Sequence, residues 1–106
     1  MASVSPTQRS LKFLRESGWR CEVVEYWQAH ARKRKDLWNI VDILCLRDGE
    51  ILGVQVTSAS NVSARVKKIT ECEALDDIRK ASIRLEVHGW AKGRDGKYKL
   101  RIVDCS

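Results

Sequence analysis

Asp42, Gln55 and Thr57 are the residues of this chain whose types and spacing could do chemistry. Asp42 offers a carboxylate, Gln55 a side-chain carbonyl, and the backbone at Val56 a further carbonyl. These are the oxygen ligands that a hard ion such as Mg²⁺ (or Mn²⁺) takes while keeping several waters. An ion held there would polarise a phosphate and lower the pKa of an attacking water. The ligands can meet only if two stretches of chain pair in one register.

That register can be worked out from the sequence. Ile40 to Leu46 and Ile51 to Thr57 read as strands, and Asp48-Gly49 between them is a strong two-residue hairpin signal. With Asp48 and Gly49 as the loop, Arg47 faces Glu50, Leu46 faces Ile51, Leu44 faces Gly53 and Asp42 faces Gln55. Cross-strand partners share a side, with Cβ atoms ~4.5–5.5 Å apart, and alternation puts Thr57 on the side of Gln55. The opposite side carries Val41, Ile43 and Cys45 against Leu52, Val54 and Val56, all apolar. The hairpin is thus expected to offer one apolar face to a helix and an outward polar cluster far from the turn. Such a cluster is costly unless water, a metal or hydrogen bonds satisfy it. Spacing alone fits a solvated pair on an exposed sheet face at least as well, with Thr57 as an ordinary strand former.

The remaining elements must position this hairpin. Ser5-Pro6-Thr7-Gln8 reads as a helix start, with Ser5 as N-cap, Pro6 in the first helical position and Gln8 reaching back in a capping box. Leu11 and Leu14 give the helix an apolar side, and Gly18 ends it. Trp19 to Trp27 reads as one strand, and His30 to Asp36 as a basic connector. Ser60-Asn61 is expected to cap one long second helix, whose stripe is Val62, Val66, Ile69, Cys72, Leu75 and Ile78. Ile83, Leu85 and Val87 alternate, as do Tyr98, Leu100 and Ile102, on either side of a Gly93-Arg94-Asp95-Gly96 turn. The expected order is α-β-β-β-α-β-β, in one domain over residues 1–106.

Asp42-Ile-Leu-Cys-Leu, a tight turn, then Ile51-Leu-Gly-Val-Gln-Val-Thr-Ser58 resembles the core of the PD-(D/E)XK nucleases. The likeness is to the Holliday junction resolvase type and small phage-encoded relatives, and it spans roughly residues 7 to 92. In that pattern an Asp opens one strand, and a Glu or Gln and a Lys lie two apart on the next. Asp42 matches the Asp, Gln55 the Glu or Gln, and Thr57 the Lys position. The resemblance implies a restriction-endonuclease-like α/β fold, a mixed central sheet flanked by two helices, and a metal-dependent endonuclease acting on DNA, branched DNA included. It also implies a homodimer, because resolvase relatives pair two active sites. Two departures stand out. Gln55 is neutral where many relatives have Glu, and Thr57 lacks the charge of the Lys that orients water. Arg34, Lys35 and Lys67 are the substitutes considered for that charge. Glu25 is the first choice for a second carboxylate and Glu16 the second, with Asp36 a further neighbour of the metal. A DNA-binding module with decayed catalysis is the alternative that these departures favour, and an interaction or RNA-binding protein is a third reading.

Bulk composition agrees with an anionic partner. Lys and Arg outnumber Asp and Glu by 20 to 14, a net charge of +6. Arg32, Lys33, Arg34 and Lys35 are expected to meet phosphates. Ser58, Asn61 and Arg65, near the second helix start, are expected to bind DNA, with capping as the plainer role of Asn61. The four cysteines have no C-x-x-C spacing, so free thiols are expected and a zinc knuckle is not. His30 and His88 belong to no nucleophile or zinc pattern, and Trp90 reads as packing rather than base stacking. No apolar run approaches the ~20 residues that span a bilayer. The start of the chain lacks the marks of a signal peptide, so an intracellular protein, cytoplasmic or phage-encoded, is expected.

Overall fold

Helix α1 (Pro6–Glu16) begins where its capping residues require. In the computed structural model, which describes residues 4–106, the Ser5 hydroxyl accepts from the Gln8 N–H at 3.2 Å. A return bond from the Gln8 side chain is absent among the described residues. The helix closes in a Schellman turn: Trp19 N–H reaches the Leu14 carbonyl at 3.0 Å and Gly18 N–H the Arg15 carbonyl at 3.1 Å. Gly18, at φ +91°, supplies the left-handed residue this turn needs.

The chain then departs from the expected single strand. Trp19 to Trp27 divides into β1 (Arg20–Val23) and β2 (Tyr26–Gln28), which lie in different sheets. The expected basic connector is itself partly strand, β3 (Lys33–Lys35), which pairs antiparallel with β2 to form a separate two-stranded arm. The next strand, β4 (Ile43–Arg47), starts later than expected. Trp38 and Asn39, both at positive φ, instead form a tight turn closed by a Leu37–Val41 bridge. Asp48 and Gly49 have φ +50° and +80°, the two left-handed residues of the hairpin turn that leads into β5 (Glu50–Ser58).

After a 3₁₀ turn (Ala59–Asn61), the expected long helix is two: α2 (Val62–Thr70) and α3 (Leu75–Lys80). The sequence contains the reason. From Val66 onward the apolar stripe advances in steps of three, and each step falls about 60° short of a full turn. Four such steps rotate the stripe by about 240°, so a straight helix would aim Ile78 away from the sheet. The break re-aims it, and Val62, Ile69, Leu75 and Ile78 are all buried in one cluster. Asn61 makes no side-chain cap bond, contrary to the capping expectation.

Strands β6 (Ile83–Lys92) and β7 (Tyr98–Asp104) complete a five-stranded mixed sheet in the order β1-β4-β5-β6-β7. Among the described strands, only the β5–β6 pair is parallel. Each face has its own core. Leu11 and Leu14 of α1 cluster with Ile43, Cys45, Leu52 and Val54, whereas α2 and α3 cluster with Val41, Leu85 and Val87. Val41 thus lies on the face opposite to the one expected, because the turn at Trp38-Asn39 carries it out of the strand. Its methyl groups would stand 3.0 and 3.4 Å from a Cβ at Gly53. A partly buried relay fastens α1 to β6: Ser10 Oγ accepts from Trp90 Nε1 at 2.8 Å and lies 3.1 Å from His88 Nδ1, while His88 Nε2 lies 3.1 Å from Glu86. Cys21 and Cys45, directly opposite each other on β1 and β4, are free thiols with sulfurs 3.1 Å apart. No helix of the described residues is long and apolar enough to cross a membrane.

Candidate metal and phosphate site

The β4–β5 register runs Arg47–Glu50 to Ile43–Val54, and Asp42 N–H donates to the Val54 carbonyl at 2.9 Å. Asp42 and Gln55 therefore face each other just beyond the last ladder pair. Gln55 Nε2 donates to Asp42 Oδ2 at 2.7 Å, and the Val56 N–H donates to the same oxygen at 2.7 Å. N–H and C=O of one strand residue leave on the same edge, so the Val56 carbonyl also looks toward Asp42.

The expected outward, solvated face is not what forms. Asp42 is 3% exposed and Gln55 2%, and Thr57 is buried too. The helices α2 and α3 cover this face of the sheet, and two further carboxylates close over its end. Glu25 sits between β1 and β2, where the Val24 N–H bonds the Asp42 carbonyl at 2.8 Å. Asp36 follows β3 and lies 3.5 Å from Gln55 Nε2. Glu25, Asp36 and Asp42 each offer an oxygen, all within 4.8 Å of one another. Burial is the main reason that Asp42 holds its proton up to about pH 7, from an ordinary 3.8. The neighbouring Asp36 adds to the rise, while the bonds from Val56 and Gln55 oppose it. Gln55 Oε1 is buried with no hydrogen-bond partner among the described residues. An orphaned buried acceptor beside three carboxylates is an unusual expense in a folded chain.

Compared with protein-family models, curated proteins and solved structures, the chain matches none.

Of the other expected residues, Glu25 and Asp36 join the cluster, whereas Glu16 lies exposed at the end of α1 and does not. Thr57 shares the side of Gln55, carries no charge and makes no side-chain hydrogen bond among the described residues. Lys33, Arg34 and Lys35 line a cleft of about 500 Å³ with Gln28, Asp36, Asn39 and Lys68. Arg34 also pairs with Glu25 at 3.1 Å. Arg32 stands at the arm tip at φ +50°. Ser58 bonds Ser60, and Asn61 and Arg65 make no hydrogen bond or ion pair with the cluster among the described residues.

The cation that reaches the cluster from α2 is Lys68, 3.8 Å from Asp36, and the sequence reading had not singled it out. Lys67 points away and meets Glu71 at 4.0 Å on an exposed surface. Adjacent helical residues differ by about 100° in direction. Which lysine faces the site is decided by how Val62 and Ile69 seat the helix, and no local signal distinguishes the two.

Proposed function

We propose that this chain is a metal-dependent endonuclease hydrolysing DNA phosphodiester bonds on a restriction-endonuclease-like frame. The observation that carries the reading is the meeting of Asp42, Glu25 and Asp36 with the orphaned Gln55 Oε1 at one end of the sheet. All the donors are hard oxygens, the set that suits Mg²⁺ or Mn²⁺ and not zinc. Six ligand oxygens around Mg²⁺ lie ~3.0 to ~4.2 Å apart, so a small contraction of the cluster suffices. A half-turn of the Gln55 amide exchanges its N–H₂ for Oε1, the acceptor that now lacks a partner. Topology supports the same frame. With the arm set aside, the chain runs helix, three antiparallel strands, helices, and a strand parallel to β5.

The residues divide the work. A bound dication would polarise the phosphate and acidify a water. Asp42, Glu25 and Asp36 would hold it, and the Val56 N–H orients the Asp42 carboxylate. Lys68 and the cleft cations Lys33, Arg34 and Lys35 draw the phosphate in and offset its charge. Lys68 supplies, from a helix, the positive charge that Thr57 does not. A homodimer presenting two such sites to branched DNA belongs to the same reading.

Cleavage of linear, flap and four-way DNA with Mg²⁺ or Mn²⁺, by wild type and Asp42→Asn, tests this. Metal-dependent cleavage lost in the variant is expected, and DNA left whole by the wild type under every condition overturns it. A second reading, a DNA-binding module without catalysis, is favoured by the buried, neutral Thr57. It predicts binding with no cleavage in either protein.

A further inference from the structure

The arm formed by β2 and β3 is joined to no other strand of the described residues, and each of its strands has three residues. A two-stranded ribbon this short has little stability of its own. It is anchored at its root, because Glu25 immediately precedes β2 and Asp36 immediately follows β3. Both arm strands therefore spring directly from the acidic cluster.

Its pairing puts Tyr26 opposite Lys35, Trp27 opposite Arg34 and Gln28 opposite Lys33. Trp27 shares one side with Arg34, and Tyr26 shares the other with Lys35. Trp27 is 62% exposed and Tyr26 53%, so both aromatic rings stand in water. Each lies beside a cation, and Arg32 and Lys33 add charge toward the tip. Arg34 already pairs with Glu25, but Arg32, Lys33 and Lys35 make no ion pair among the described residues, and an apolar protein surface would leave them without counter-charges. Nucleic acid satisfies both kinds of group, with base faces for the rings and phosphates for the cations.

The paired interior of a duplex has no free base face to offer an indole. Ends, flaps, junctions and single strands do. Trp27 lies two residues from Glu25, at most ~7 Å of extended chain, a reach of about two base steps of a DNA strand.

We propose that this arm is a base-stacking blade that selects DNA carrying an unpaired base. Trp27 stacks on that base, and Lys33, Arg34 and Lys35 hold the flanking phosphates. Placing the cut about two nucleotides from the unpaired base rests on the nuclease reading; the strand-selective binding does not.

The test uses the full chain in EDTA. Fluorescence anisotropy compares a labelled single strand, a flap and a blunt duplex for wild type, Trp27→Ala and Trp27→Phe, with thermal melts confirming that each variant folds. Wild type is expected to prefer the single strand and flap over duplex by about tenfold, the modest end of what one base stacked on a ring supplies. Trp27→Ala should lose that preference while its duplex affinity changes less than twofold, and Trp27→Phe should regain most of it. An unchanged strand preference in Trp27→Ala overturns the proposal. So does Trp27-dependent binding to phosphatidylserine vesicles that exceeds binding to DNA, which would make the arm a membrane contact. In a parallel assay with Mn²⁺, no cleavage together with a Trp27-dependent preference sinks the nuclease reading alone. Cleavage with Trp27→Ala cutting flap and duplex in the wild-type ratio sinks the blade alone.

Discussion

Gln55 donates its amide N–H to Asp42 at 2.7 Å while its own carbonyl oxygen is left buried and unbonded. The amide stands beside the carboxylates as a neutral hydrogen-bond donor, in the place a cation would favour. Gln55→Glu removes that donor and sets a fourth carboxylate against three others. Without metal the variant should lose about 2–3 kcal/mol of stability, from the lost bond and the repulsion between buried charges. Mn²⁺ should stabilise the variant more than it stabilises wild type. Urea titrations with and without Mn²⁺ read both effects, and a variant as stable as wild type in EDTA would contradict the arrangement.

Asp42 gives the protein a defined pH dependence. Its folded pKa, about 7, lies above the 3.8 of an unperturbed Asp, so between those values the folded chain binds more protons than the unfolded one. Stability from this group is therefore greatest below about pH 4 and falls as pH rises toward 7. A dication competes with the same proton, so Mn²⁺ affinity should rise across that window. Calorimetric melts from pH 4.5 to 7.5 should slope downward for wild type and flatten in Asp42→Asn. Titration calorimetry with Mn²⁺ should show the opposite trend in affinity.

Lys68 and Lys67 form a natural control pair. The Lys68–Asp36 contact spans 3.8 Å with the lysine 40% exposed, so its loss should cost less than about 1 kcal/mol of stability. Its loss from the phosphate side should lower DNA cleavage by about tenfold to a hundredfold. Lys67→Ala, which removes only an exposed partner of Glu71, should change neither. Cleavage rates of the two alanine variants at equal stability decide the point.

Gly89 on β6 is where the 3₁₀ turn before α2 comes closest to the sheet. A Cβ there would run into Val62 and lie 3.1 Å from the Ala59 Cα, which is backbone and cannot swing aside. Gly89→Ala should cost about 1–3 kcal/mol by overpacking. It should also lower DNA cleavage, because α2 carries Lys68 and packs over the Gln55 side of β5. A denaturant midpoint equal to that of wild type would contradict the close approach.

The adjacency of Asp42 and Gln55 was legible because it is local. Asp48-Gly49 accepts two left-handed residues in succession, that turn sets the pairing of β4 with β5, and counting back reaches the two side chains. The caps of α1 were legible for the same reason, since Ser5, Pro6 and Gly18 act on neighbours a few positions away. The separate arm was not legible, because residues 24–42 carry no sustained period and turn on left-handed conformations at Arg32, Trp38 and Asn39, none of them glycine.

Tertiary structure alone decided that Asp42 and Gln55 are buried, that Glu25 and Asp36 return to them, and that Lys68 faces them. Those outcomes depend on contacts between residues distant in sequence: the Val24–Asp42 bond, the seating of Val62 and Ile69, and the cover of α2 and α3 over the sheet. The sequence by itself determined which groups were available and one register between them. Burial, and with it the raised pKa of Asp42 and the orphaned oxygen of Gln55, is a property of the packed whole, because desolvation depends on everything that surrounds a group and not on its neighbours in the chain.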